Sequence, residues 1–303
     1  MALHDDGPLA RLLPDGNRLH LQHGPIDLII GADGSADEVD RAYRQATAYF
    51  QDVLVTLASE LHLLRRPTTS DAPAATGEIA RHMQAHAQAH AADTFVTPMI
   101  AVAGAVADFV LDALLCGRTL RRAYVNNGGD IALMLAKGAT FDIAVCSNPD
   151  TGRVPAKVRL VDDDGVGGIA TSGWRGRSHS LGIADAVTVL ASNAAAADVA
   201  ATLIANAVDV SGSPRIKRAP ACHLAPDSDL GDRLVTIDVE ELPSGELDAA
   251  LDRGRRVAKR MIWKRQIIAA YLSLQGRSAT CERPSTFRRR TGSAGLERTS
   301  MSW

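Results

Sequence analysis

Residues 186–208, "AVTVLASNAAAADVAATLIANAV", restrict the fold more than any other stretch of this chain. The run "AVTVLAS" predicts a strand, and Ser192 or Asn193 stands where the N-cap of a following helix belongs. From Ala194 to Val208 that helix is apolar on every face, so neighbouring elements must cover it all round. Only Asp198, Thr202 and Asn206 interrupt it, and successive i+4 steps place the three on one face. A buried carboxylate is costly unless it is paired or bound to metal. An oxygen-only pair of Asp198 and Thr202 suits a hard cation such as Mg²⁺, with water and substrate phosphates completing the shell. The alternative is structural: a buried arginine neutralises Asp198, and Thr202 bonds back to the preceding turn.

Around this interior helix, strand and helix patterns mix without strict βαβ alternation, which predicts an α+β fold with mixed or antiparallel sheets packed with helices. "RLHLQHGPIDLIIGADG" alternates as one or two strands, and Ser35 stands three residues before Glu38, the spacing of a capping box. Apolar residues at steps of three and four from Val39 to Leu64 then predict one helix of about eight turns. "FVTPMIAVAGAVADFVLDALL" reads as a second buried helix entered at Thr97-Pro98, with Gly104 admitting a close neighbour. From Leu120 to Val210 short β-rich runs are punctuated by glycine; "DRLVTIDVEEL" is a further strand, and the chain from Glu246 to Gly276 reads as one or two helices. The expected organisation is a flexible segment 1–14, one domain over 15–276, and a disordered, arginine-rich tail over 277–303.

Three further constellations carry chemistry. Asn127, Gly128, Gly129 and Asp130 interrupt apolar runs, either as a tight hairpin turn or as a place where backbone approaches a ligand. Thr171, Ser172 and Gly173 offer hydroxyls and a flexible amide to phosphate oxygens, and His179 follows among arginines as a candidate base. His82, His86 and His90 recur at i+4, but without the carboxylate embedded in HExxH, and they are read as an exposed helix rather than a zinc site.

Composition narrows the function class. A formal net charge of -2 disfavours a nucleic-acid partner, and no run of about 18 apolar residues predicts a membrane span. The four cysteines are scattered without a CxxC pair, and the start lacks a secretory pattern, so the expected location is the cytoplasm.

Taken in order, "NNGGD", "ATSG", His179 and "ADVAAT" resemble the motifs of the ApbE family, the FAD:protein FMN transferases. The wider span resembles the UPF0280 group within that superfamily, through "DGNRLHLQHGPIDLI", "TPMIAVAGAVAD", "AYVNNGGDIAL" and "ATSGWRGRSHSLGIADAVTVLA". The resemblance implies a T-fold-like architecture with FAD bound between its halves and Mg²⁺ held by Asp198 and Thr202. It implies that Asn127 to Asp130 and Thr171 to Gly173 line the dinucleotide site, so that the hairpin glycines admit the ligand, with His179 as the base. The transferase reading adds an acceptor protein, and a homo-oligomer is compatible with it. The Asp-Pro-Arg-Thr-Gly run that follows the histidine in FMN transferases has no counterpart; "NPDTG" at Asn148 to Gly152 precedes "ATSG" and is read as unrelated. Two other functions stay open: a flavin- or pterin-dependent enzyme contacting a small metabolite through Thr97, Trp174 and Arg175, and a binding protein without chemistry.

Overall fold

The computed structural model describes residues 7–145 and 156–282; Cys146, the Asn148 to Gly152 run and everything beyond Glu282 lie outside them. One antiparallel sheet runs in the order β1 (Leu9–Leu12), β2 (Arg18–His23), β3 (Ile26–Gly34), β4 (Leu120–Asn127), β5 (Asp130–Leu135), β8 (Gly168–Ser172), β9 (Ala186–Ala191), β12 (Ala269–Leu274) and β13 (Arg277–Glu282). Two separate ribbons pair β6 (Thr140–Val145) with β7 (Ala156–Val161) and β10 (Ile216–Pro220) with β11 (Leu234–Val239). The α+β expectation holds.

Helices α1 (Ala36–Phe50), α5 (Val102–Leu115), α6 (Ala194–Ala207) and α8 (Ser244–Trp263) pack on one face of the sheet. The period-two alternation of the strands decides which side chains meet them. On β5, Ala132 and Met134 join the helix-side core, whereas Ile131, Leu133 and Leu135 join a smaller cluster on the opposite face with Phe141 and Val158 of the β6–β7 ribbon. In the middle of the sheet β5 meets β8 through just two residue pairs, Ile131 with Ile169 and Ala132 with Gly168. Each half of the sheet therefore has its own helix-side core, and the α5–α6 contact joins them.

As its composition required, α6 is enclosed, by α5 and α8 beside it and by β8 and β9 beneath. The side chain of Asn193 caps it, accepting from Ala196 N at 2.8 Å. Pro98 to Leu115 is long and apolar enough to cross a membrane, but Val106, Val110 and Leu114 are fully buried in the core.

Three expectations are corrected. The long N-terminal helix is broken into α1, α2 (Val53–Ser59) and α3 (Leu61–Leu64). Unbroken, it would extend about 40 Å, beyond a sheet whose longest strand spans about 30 Å; the breaks let Phe50, Leu57 and Leu64 all reach one core. The expected helix to Gly276 stops at Trp263, and "AAYLSL" is β12, paired with β9 and β13. The stop lacks a glycine signal because Arg265 itself takes the left-handed conformation (φ 61°), with Gln266 N bonding back to Met261 O. Finally, both terminal boundaries move: Leu9–Leu12 forms the outer strand on one edge, and Arg277–Glu282 forms the strand on the other.

Candidate functional site

The β4–β5 hairpin satisfies the turn reading of "NNGGD". Asn127 pairs with Asp130 across a two-residue turn, and Gly128 (φ 65°) and Gly129 (φ 116°) supply the positive angles it requires. Asn126 Oδ1 holds the turn through Gly129 N at 2.8 Å. Asn127 is buried and donates its amide to Ala103 O at 3.1 Å, fastening the hairpin to the start of α5. The side chain of Arg177 lies over Gly128, where an added Cβ would come within 2.1 Å of Nη2. That glycine admits an arginine rather than open space for a ligand.

Asp130, at the start of β5, shares the helix-side face with Ala132 and opens on a cleft of about 300 Å³. Asp198 and Thr202 of α6 lie in the same cleft, together with Arg177 and His179. Burial pushes Asp130 up to about 7, against the pull of the Thr171 N–H and the Arg177 charge. Burial, and then the Asp130 carboxylate, raise Asp198 well above the usual carboxylate range. Among the described residues no arginine, lysine or histidine is ion-paired with either carboxylate. The arginine partner of the structural reading is therefore replaced by backbone: Gly104 N donates to Asp198 Oδ2 at 3.0 Å, with the Ala103 N–H as a second donor.

A reciprocal contact completes the seam. Asp108 of α5 accepts from Ala194 N at 2.8 Å and Ala195 N at 2.9 Å, the free amides that open α6. Each helix thus receives a carboxylate from the other near its start. Gly104 makes this approach possible, since a Cβ there would sit 2.4 Å from Ala194 O.

The "ATSG" residues separate. Ser172 faces α6, where Thr202 Oγ1 donates to its hydroxyl at 3.4 Å. Thr171 points to the opposite face and bonds Thr188 Oγ1 at 2.9 Å, so only its main chain serves the cleft. Gly173 is pressed against Asp185 O and Ala184 O and does not line the opening. Arg175 pairs with Asp185 at 3.0 Å and covers the Trp174 ring, and neither lines the cleft. Thr97 does, but its hydroxyl is bound to Asp229.

Asp229, Ser228 and Leu230 form a wall that the sequence did not signal. They sit in the connection between β10 and β11, and Arg233 at its end lies 3.3 Å above the Phe95 ring. A lone Asp in a loop carries no periodic or motif signal, and Asp229 meets Thr97 across 132 residues of chain. Asn206, third on the α6 face, accepts from Leu181 N at 2.9 Å and Ser180 Oγ at 3.2 Å and so fixes the segment that carries His179.

The histidine helix differs from its expectation. His82 and His86 lie on α4 (Glu78–Gln88) half-buried rather than exposed; their rings are 4.5 Å apart, and His82 Nε2 lies 3.4 Å from Asp108. His90 lies beyond the helix end. Among the described residues no cluster of three or more His, Cys, Asp or Glu side chains is arranged to hold a metal.

A family model described as AbpE bacteria matches residues 10–280. The chain belongs to this family. It is also similar to UPF0280 proteins of methanogens. That of Methanocaldococcus jannaschii is 37% identical over 113 residues, covering 37% of this chain and 45% of the relative. That of Methanococcus vannielii is 40% identical over 116 residues, with coverage of 37% and 45%. The chain thus spans under half the length of these curated relatives. Among solved structures it is similar to the apo form of Pseudomonas stutzeri flavinyl transferase ApbE, at 14% identity and a TM-score of 0.49 over 93% of this chain and 96% of that one.

Proposed function

We propose that this AbpE-family chain binds a dinucleotide at the Asp130–Asp198 cleft through a divalent cation, and that the ligand is FAD, as the motif resemblance implies. The observation that carries the reading is the facing pair of buried carboxylates, neither of them ion-paired among the described residues, with only the Arg177 charge acting on Asp130. Two such groups repel, and a hard cation removes the repulsion. The donor set fits: Asp130 and Asp198 carboxylates with the Thr202 hydroxyl, all oxygen, and Ser172 behind Thr202. Mg²⁺ held there would supply neutralisation of pyrophosphate charge.

The chain's own residues would divide the remaining work. Arg177, held over the hairpin, offers a fixed positive charge to a phosphate oxygen. Met99, Ile100 and Leu230 exclude water from an apolar part of the ligand. If the reaction is transfer, His179 would take the proton of an acceptor Ser or Thr hydroxyl as its oxygen attacks the FMN phosphorus. The phosphoanhydride bond then breaks and AMP leaves. The absence of the Asp-Pro-Arg-Thr-Gly run bears on this last step, because no counterpart of that acceptor-side segment follows His179.

The test is incubation with FAD, with MgCl₂ or with EDTA, followed by mass spectrometry of the protein and the released nucleotide. Mg²⁺-dependent FAD binding supports the site, and AMP release supports transfer or hydrolysis. Bound, uncleaved FAD points to the binding-protein alternative. Failure to bind FAD under either condition, or binding that is unchanged by Mg²⁺ and by Asp198→Asn, overturns the reading.

A further inference from the structure

Beside the Asp130–Asp198 cleft lies a second chamber of about 340 Å³, between α6 and α8, and the two share Phe95, Leu181 and Asn206 as a partition. We propose that this chamber binds a small organic anion with an apolar body, its charged group held by Arg260 and Lys264.

The floor is apolar, built from Leu203 of α6 with Val257 and Met261 of α8. The rim carries two cations, Arg260 and Lys264, against one carboxylate, Asp93. Arg260 has no ion-pair partner among the described residues, whereas Lys264 is 3.4 Å from the exposed Asp93 carboxylate. Arg260 therefore has the freer charge for an incoming anion. His90 also lines the chamber, but burial lowers its pKa, so it offers a neutral ring rather than a third cation. Asn206 leaves its amide N–H groups available, since its carbonyl oxygen already serves Ser180 and Leu181.

The surrounding charge favours the same ligand class. Residues 253–265, "RGRRVAKRMIWKR", hold seven basic residues and no acidic one, in a chain whose formal net charge is -2. A cationic rim over an apolar floor attracts anions and rewards those that also bury hydrocarbon. The volume is that of a small-molecule site. This inference does not rest on the dinucleotide reading, because none of its charged residues belongs to the Asp130–Asp198 cleft.

Titration of the full chain with 4-phenylbutyrate, its neutral amide 4-phenylbutyramide, and phenyl phosphate tests it directly. The carboxylate or the phosphate should bind about tenfold tighter than the amide, the gain expected of charge-assisted hydrogen bonds. Arg260→Ala with Lys264→Ala should abolish that preference while leaving the weak amide binding intact. Arg260→Glu, at an exposed position, should reverse the preference, and a melting curve checks that each variant folds. Equal affinity for anion and amide, discrimination that survives the double change, or no binding of any probe would overturn the proposal. Competition by FAD would also overturn it, by making the chamber one end of the neighbouring cleft. Failure of FAD to bind at all would count against the dinucleotide reading and leave the anion result standing on its own.

Discussion

Asp198 keeps a carboxylate deep in the protein with the Gly104 and Ala103 amides as donors and another carboxylate facing it. Asp198→Asn preserves the side-chain shape and one oxygen for the Gly104 N–H while removing the repulsion with Asp130. Without divalent cation the variant should melt at or above the wild-type temperature. Wild type should gain stability from MgCl₂, by about 2.7 kcal/mol at a hundredfold excess over Kd, and Asp198→Asn should lose that gain. Thr202→Val should weaken the Mg²⁺ response less, since a hydroxyl is the poorer ligand. Paired melts with and without MgCl₂ read both, and a strong loss of stability with an intact Mg²⁺ response would assign Asp198 to the helix seam alone. The i+4 spacing of Asp198, Thr202 and Asn206 was legible in the sequence because α6 is regular. That Asp130 faces them was implied only by the family resemblance, because strand parity alone cannot say which helix covers which face.

At the scale of elements, the α5–α6 seam sets the spacing of those groups. Gly104→Ala forces a methyl against the Ala194 carbonyl and should cost about 1–3 kcal/mol. Asp108→Ala leaves two opening amides of α6 without their acceptor and should cost about 1–2 kcal/mol. Urea denaturation measures both. Between α2 and α3 the buried Glu60 accepts from Thr76 N at 2.6 Å and Gly77 N at 2.7 Å, pinning the loop that leads into α4. The Thr76 N–H, with Gly77 and Arg81 adding to it, holds the Glu60 carboxyl below the usual range. A depressed folded-state pKa gives stability that is present above the unfolded value and is lost as pH falls through the folded one. Glu60→Gln should therefore lower stability by about 1–3 kcal/mol near neutral pH. The deficit should shrink once acid has protonated the wild-type carboxyl, and a deficit independent of pH would remove the charge from the explanation. The sequence placed Glu60 inside a continuous helix, since an inward-turned glutamate looks like any other polar residue between apolar ones.

Across the whole molecule, two half-sheets with separate helix-side cores meet at the two residue pairs of β5 and β8 and at the α5–α6 seam. So small a sheet junction predicts that the seam carries much of the cooperativity between the halves. Wild type should unfold in one calorimetric transition, and Gly104→Ala or Asp108→Ala should broaden or split it. One sharp transition in both variants would place the coupling in the sheet instead.

What the sequence determined by itself was whatever depends on neighbours along the chain. This includes the α+β texture, the interior character of α6 and a cap at Ser192 or Asn193, the two-glycine turn, and the ordered motifs that signal the family. Tertiary structure alone decided what depends on residues far apart in the chain. It turned Thr171 away while bringing Ser172 to Thr202, and it laid Arg177 over Gly128. It also brought Asp229 to Thr97 and set Asp198 against the opening of α5. Periodicity reports which face a residue occupies. The partner on that face is chosen by packing that maximises burial over the whole chain, and no local pattern encodes it.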